Sequence, residues 1–295
     1  MGNLDLEYCR VLEELVKKSE TTPMIQDRTG VGTWKIFGNM IRVDISESFP
    51  MLLSRRVPWK SVVNEFIFFL NGFTNNNWLR ERNCKYWEEF AHPETGELGP
   101  VYGAQLRNFN NQGVDQLALL IDGLQNRPNS RRHMFTYFNP AVVPDETKTH
   151  KENIENGRAV LPPCHLLYQF NVEDGKLSGL LYQRSADFCI GSPSNIAQMG
   201  LWIHFLARVC GYKPGELVYV TGDTHIYSNH IGGAKEVIRN AHLISDINYP
   251  QLKLDSQIGK CDVAEALEMV SKLNEGMFIL EGYNPVGTVK FPLAV

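Results

Sequence analysis

Apolar residues at Leu4, Val11, Leu12, Leu15 and Val16 keep to one helical face, and the pattern stops at Thr21-Thr22-Pro23 and the polar run Asp27-Arg28-Thr29-Gly30. The chain is expected to open with an amphipathic helix and a loop. Thr33 to Ile45 is rich in β-formers but is interrupted at Gly38-Asn39, which predicts strand, turn or bulge, strand. After Pro58, the apolar residues Val62, Val63, Phe66, Ile67, Phe69 and Leu70 wrap most of a helix over 59–71, the pattern of a helix buried in the core. Glu65 is a charge set inside it. Two β-rich runs, His165 to Val172 and Leu177 to Arg184, flank Asp174-Gly175, which predicts a tight hairpin. Ile196, Met199, Ile203, Leu206 and Val209 predict a second buried helix over 193–212, followed by a strand over 216–221 and a helix from about His225. Asn139 to Arg158 combines Pro140, Pro144 and alternating charges with few apolar residues, so a mobile polar surface loop is expected over about 140–158. Repeats and low-complexity tracts are absent, and the mix of elements predicts an α+β fold in a single domain spanning 1–295.

Composition narrows the function classes. Of 295 residues, 43% are hydrophobic and 21% charged, which is enough apolar material for a packed core. A net charge of −4 and a pI near 6.1 give no field that gathers nucleic acid or an anionic membrane, so an anionic ligand must be held by local arginines. Six cysteines (Cys9, Cys84, Cys164, Cys189, Cys210, Cys261) form no CxxC pair, and a chain of this length needs no disulfide staples. Reduced thiols are expected, and a zinc or other metal site is not. The N-terminal residues lack the basic start and apolar block of a signal peptide, and no window reaches the ~18 apolar residues of a membrane span. A cytoplasmic, unanchored protein is expected.

Several residues could carry chemistry. Cys164 follows two prolines in Leu161-Pro162-Pro163-Cys164-His165, a rigid approach to the first hairpin strand. Alone it reads first as a small buried hydrophobe. The hairpin alters that reading: its outer ends come together and could set Arg184 of Gln183-Arg184-Ser185-Ala186-Asp187 beside the thiol, stabilising a nucleophilic thiolate. Arg28 and the pair Arg131-Arg132 are surface charges or, taken together, planar forks for a phosphate dianion. Asn195 is either a helix N-cap or an amide whose donor and acceptor match N3–H and O4 of uracil. Glu65 is a paired structural acid or a buried carboxyl tuned to move protons. His225 and Tyr227 open a helix or reach a sugar hydroxyl.

Taken in order, Arg28-Thr29-Gly30, Glu65 in its helix, Trp87, Gly99-Pro100-Val101-Tyr102-Gly103, Ser130-Arg131-Arg132, Pro163-Cys164-His165, Gln183-Arg184-Ser185, Asp187, Gly191, Asn195, Gly222-Asp223-Thr224-His225, Tyr227-Ser228-Asn229-His230 and Val295 resemble the thymidylate synthase family. The resemblance runs from Arg28 to the last residue. It implies a sandwich of a large mixed sheet with packed helices, a homodimer, and two small-molecule ligands: dUMP and, as co-substrate, 5,10-methylenetetrahydrofolate. It further implies that Cys164 adds to C6 of dUMP and that C5 attacks the folate methylene, giving dTMP and dihydrofolate. By position, Arg28, Arg184, Ser185 and, from a second subunit, Arg131 and Arg132 hold the 5′-phosphate. Gln183 joins the substrate-binding set, Asn195 reads the uracil edge, and His225 and Tyr227 hold the 3′-hydroxyl. Glu65 with His165 organises proton-carrying waters, Tyr102 helps remove the C5 proton, and Asp223 completes the catalytic set. Asp187 binds the pterin, Arg55 stands where the family has a cation for the glutamate tail, and Trp87, Ile190, Gly191, Ser194 and Val295 line the folate side.

Departures from the family pattern gather in the folate pocket. Ser194 replaces the phenylalanine of the usual Pro-Phe-Asn, Phe90 a second tryptophan and Leu106 a frequent tryptophan, while Pro58 occupies a tail-contact position. A hydroxyl with spare volume at Ser194 would admit water to the exocyclic methylene. That route regenerates tetrahydrofolate and gives 5-hydroxymethyl-dUMP, as in phage relatives of the superfamily, and is the alternative to dTMP. Trp87 and Val295, which shield that carbon, are retained, so dTMP is the expected product. RNA binding as a primary role is disfavoured by the acidic pI and the lack of a basic stripe.

Overall fold

The computed structural model describes residues 3–26, 29–244 and 248–294. Helix α1 (Leu4–Thr21) starts where the Asn3 side chain accepts from the Asp5 backbone N–H at 2.9 Å, and it buries Tyr8, Val11, Leu12 and Leu15. It packs on strand β1 (Thr33–Asp44). Helix α2 (Trp59–Leu70) buries every residue from Val62 to Leu70, and Phe66 meets Trp202 edge-on at 5.1 Å. Helices α3 (Asn77–Arg80), α4 (Tyr102–Arg107) and α5 (Gln116–Asn126) lead to β2 (Met134–Thr136) and α6 (His150–Glu155). The expected hairpin follows as β3 (His165–Glu173) and β4 (Lys176–Asp187). At its tip Asp174 and Gly175 have φ of 49° and 73°, the left-handed pair that a type I′ turn requires. Helix α7 (Gly191–Cys210) then crosses to β5 (Lys213–Tyr227), ending at Gly211 with φ 82°. The chain continues through α8 (Ile231–His242), β6 (Gln251–Leu254), α9 (Val263–Lys272) and β7 (Phe278–Glu281).

Five strands form a mixed sheet in the order β1-β5-β4-β3-β2, with β4 and β5 parallel and the other neighbours antiparallel; β6 and β7 pair separately. A parallel pair needs a long crossover, and the 20 residues of α7 supply it. That helix is apolar nearly all round because it is sealed between the sheet and α2.

The turn or bulge expected at Gly38-Asn39 takes a different form. β1 is one strand, paired with β5 from Thr33 opposite Tyr227 to Asp44 opposite Glu216 with no shift of register. Gly38 has φ of 81°, and the buried face changes parity across it, from Ile36 to Ile41 and Val43. β5 makes the same change between Thr221 and Thr224, and β4 between Gln183 and Ala186. Three neighbouring strands therefore kink at one level and stay paired. At Gly222 a β-carbon would lie 2.8 Å from the Arg184 carbonyl oxygen and 3.0 Å from the Tyr182 hydroxyl, so the kink leaves room only for glycine.

Two other expectations are corrected. The helix predicted from about His225 begins at Ile231, because β5 runs past Thr221 to Tyr227 to match the full length of β1. The 140–158 segment lies at the surface as expected but is not loop throughout: it holds a 3-10 turn at Pro140–Val142 and α6, which opens with a capping box of Thr149 and Glu152. Asn153 is buried there and donates to the Asp145 carbonyl at 3.0 Å. Polar side chains order this segment, and apolar periodicity is blind to them. Among the described residues, no helix is long and apolar enough to cross a membrane.

Gly222→Ala is expected to lower stability by roughly 1–3 kcal/mol through overpacking at the kink. Gly232→Ala, in open space on the first turn of α8, should be neutral or stabilising. Equal denaturation midpoints for the two variants would contradict this account of the kink.

Candidate active site

The C-terminal ends of β4 and β5, the entry to β3 and the first turn of α7 meet at one edge of the sheet. Cys164 sits immediately before β3. Its carbonyl accepts from the Arg184 N–H at 2.7 Å, its N–H donates to the Tyr102 hydroxyl at 2.9 Å, and an Arg184 guanidinium nitrogen stands 3.9 Å from Sγ. The same guanidinium donates to the carbonyls of Pro162 and Pro163 at 3.2 and 3.4 Å. The hairpin thus brings arginine and thiol together as expected. The expected charge state does not follow. Burial pushes the Cys164 thiol above its usual value, Arg184 pulls it down, and Asp187 pushes it up again. The ligand-free site holds a thiol.

Glu65 projects from α2 with both oxygens engaged, Oε1 by Trp87 Nε1 at 2.7 Å and Oε2 by Gln198 Nε2 at 3.1 Å. Burial raises its pKa to about 7, against the pull of those two bonds, so it exchanges a proton near neutrality. Burial lowers His165 to about 3, which leaves it neutral. Its Nδ1 pairs with the Tyr168 hydroxyl at 2.8 Å and its ring stacks on Tyr102 at 4.5 Å. Burial also drives Tyr102 well above its usual value, so its hydroxyl stays neutral.

Asn195 lies inside α7, whose N-cap is Ile190, which removes the capping reading. Its Nδ2 donates to Gln183 Oε1 at 2.9 Å, and the Tyr219 hydroxyl donates to the same oxygen at 2.8 Å. Gln183 Nε2 in turn donates to the Ser185 carbonyl at 2.9 Å. Both lone pairs of the Gln183 oxygen are taken, so Gln183 serves chiefly to fix the Asn195 amide. Asp223 pairs with Ser185 across the parallel strands and accepts from His225 Nδ1 at 3.0 Å and Lys35 Nζ at 2.7 Å. Those bonds, His225 first, hold its carboxyl at about 2. An ionised Asp223 selects the Nδ1–H tautomer of His225 and leaves Nε2 for a ligand. The Tyr227 ring lies 5.3 Å from that of His225.

Toward the start of α7, Asp187 Oδ1 accepts from the Cys189 and Ile190 N–H groups, both at 3.0 Å, just before Gly191. Arg55 is buried; it donates to the Cys189 carbonyl and stacks under the Phe291 ring at 4.8 Å. The Ser194 hydroxyl is 2.9 Å from that of Tyr86, so the volume expected to be spare beside this serine is filled by tyrosine. Arg131 and Arg132 are exposed between α5 and β2, and among the described residues neither guanidinium has a hydrogen-bond or ion-pair partner. Arg28 and Val295 lie outside the described residues. Among the described residues, no group of three His, Cys, Asp or Glu side chains could hold a metal. Sequence reading missed Lys35, Tyr86, Gln198 and Tyr219. Gln198 carries a signal, being a polar residue one turn after Asn195 in an apolar helix, whereas the others are visible only through tertiary contact.

A protein-family model described as Thymidylate synthase matches residues 6–295. A thymidylate synthase of Francisella philomiragia subsp. philomiragia is 43% identical over 228 residues, covering 77% of this chain and 81% of that protein. A thymidylate synthase of Francisella tularensis subsp. holarctica is 40% identical over 263 residues, covering 85% and 94%.

The raised Glu65 pKa has a consequence for stability. Between pH 4.5, its ordinary value, and about 7 the folded chain keeps a proton that the unfolded chain has lost. Stability from this group is present at acid pH and fades as pH rises through the folded value. Relative to Glu65→Gln, the wild type should lose on the order of 3 kcal/mol across that window. Denaturant melts as a function of pH measure this, and parallel profiles would refute the buried-acid account.

Proposed function

The chain belongs to the thymidylate synthase family, and on that premise we propose how its residues methylate dUMP at C5, with Cys164 as nucleophile. The observation that carries the reading is the thiol 3.9 Å from Arg184, at the same sheet edge as the amide of Asn195 locked by Gln183. Once the proton leaves Cys164, its sulfur bonds to C6 of the uracil ring and the electron pair passes through C5 to O4. Asn195 offers Oδ1 to N3–H and its second amide hydrogen to O4, which stabilises the charge that develops there. Glu65, titrating near neutrality, takes and returns protons through water with neutral His165 beside it. C5 then takes the one-carbon unit and loses its proton, Tyr102 hydrogen-bonding along that path, and the sulfur finally departs from C6. The folate co-substrate supplies both the carbon and the hydride, giving dTMP and dihydrofolate. The relatives are named synthases, so the hydroxymethylated product is not favoured.

The folate side fits in kind. Trp87 and Tyr86 offer aromatic faces, Asp187 a carboxylate for ring N–H groups, and Ile190, Gly191 and Ser194 the first turn of α7. Arg55 keeps a buried Nε without a partner among the described residues, and it reaches a glutamate tail only if the Phe291 segment shifts. For the phosphate we assign Arg184 and Ser185, with Arg28, and Arg131 and Arg132 from a second copy across a two-fold axis. Their exposure supports this, as do Phe37, 87% exposed, and Met40, 52% exposed, on β1. All six cysteines are unpaired, which fits action in the reducing cytoplasm.

Cys164→Ala should abolish turnover while dUMP still binds, because the arginine site remains; wild-type turnover in this variant would remove Cys164 as nucleophile. The shared phosphate site has its own test. Inactive Cys164→Ala and Arg131→Ala proteins, mixed under conditions of demonstrated subunit exchange, should regain activity through heterodimers with one intact site. A mixture that stays inactive contradicts the assignment of Arg131 to the partner's site.

A further inference from the structure

Gln198 lies three residues after Asn195, on the same face of α7, and is 1% exposed. Its amide and the Trp87 indole grip the two oxygens of Glu65 from separate elements, α7 and the 83–91 segment. The titratable groups facing Glu65 are Cys84 and Tyr86 of that segment, Tyr102 of α4, Tyr137 beyond β2 and Tyr168 of β3. Burial raises each of them, so all are uncharged near neutrality, and burial leaves His165 neutral as well. Within this neutral surround, a single donated hydrogen bond has large leverage over a carboxyl.

We propose that Gln198 is a positioning residue for the proton-carrying step: its amide fixes the orientation of Glu65 and, as a donor, favours the carboxylate over the carboxylic acid. This rests on the reading of Glu65 given above. The orientation of the amide follows from charge. The opposite rotamer would set Gln198 Oε1 against a carboxylate oxygen, whereas the observed one leaves Oε1 without a partner among the described residues. A methionine would fill the same volume and offer no donor, so packing and positioning are separable.

Gln198→Met is the test, with Gln198→Leu as a second variant should the first fail to fold. Difference infrared spectroscopy of the ligand-free protein reads Glu65 directly, as a carboxylic acid band that Glu65→Gln removes. The midpoint of that band should rise from about 7 by about one pH unit, because a hydrogen bond to the charged form has been lost. The pH limb of kcat should move with it, while KM for dUMP changes by less than about twofold. An unmoved midpoint, even with a uniform fall in kcat, overturns the proposal. A shifted midpoint in an enzyme whose wild type forms no dTMP instead overturns the functional reading on which it rests.

Discussion

The site depends on the parallel pairing of β4 with β5 and on the kink they share. Parallel neighbours cannot be joined by a tight turn, so the chain must return through a long helix. That requirement delivers the first turn of α7, with Asp187 fixing the turn that leads into it and Asn195 inside it, to the edge where both strands end. The kink then changes which side chains face inward at the level of Arg184, Ser185, Gly222 and Asp223, while Ser185 and Asp223 stay paired. Because β3 runs antiparallel to β4, Cys164 arrives at the same edge and is tied there by the Arg184 N–H.

Burial sets the electrical character of the interior. It keeps the proton on Cys164 and Tyr102, keeps His165 neutral, and brings Glu65 to the verge of ionisation. Fixed charge lies in half-buried Arg184 and the Asp223–Lys35 pair, and in Arg55, which is buried on the folate side. The site therefore begins from neutral groups held by hydrogen bonds. On the proposed route negative charge develops inside only during reaction, where preorganised donors such as the Asn195 amide would be worth more than in water.

Much of this was legible in the chain. The Asp174-Gly175 hairpin, the two buried helices and the meeting of Cys164 with Arg184 follow from period and turn chemistry, and the structure has all three. Apolar periodicity failed where polar contacts decide. The capping box and the buried Asn153 order the 140–158 segment, and the length of β1 draws β5 out to Tyr227 and carries His225 onto a strand. Arg184 does favour the thiolate, as the hairpin implies, but the larger opposing cost of burial comes from packing by other elements, among them α4 with Tyr102, and Asp187 at the end of the same strand adds to it. Likewise, Ser194 read alone suggested a gap, and only the fold shows Tyr86 standing against it.

This arrangement is built to methylate a uracil ring. Mass spectrometry of the nucleotide formed from dUMP and 5,10-methylenetetrahydrofolate, with absorbance followed in the same reaction, tests it most directly. The expected product is a nucleotide heavier by one CH2 group, formed together with the absorbance rise of dihydrofolate. Recovery of unchanged dUMP, or of a nucleotide that has gained a CH2O group with no dihydrofolate formed, would contradict it.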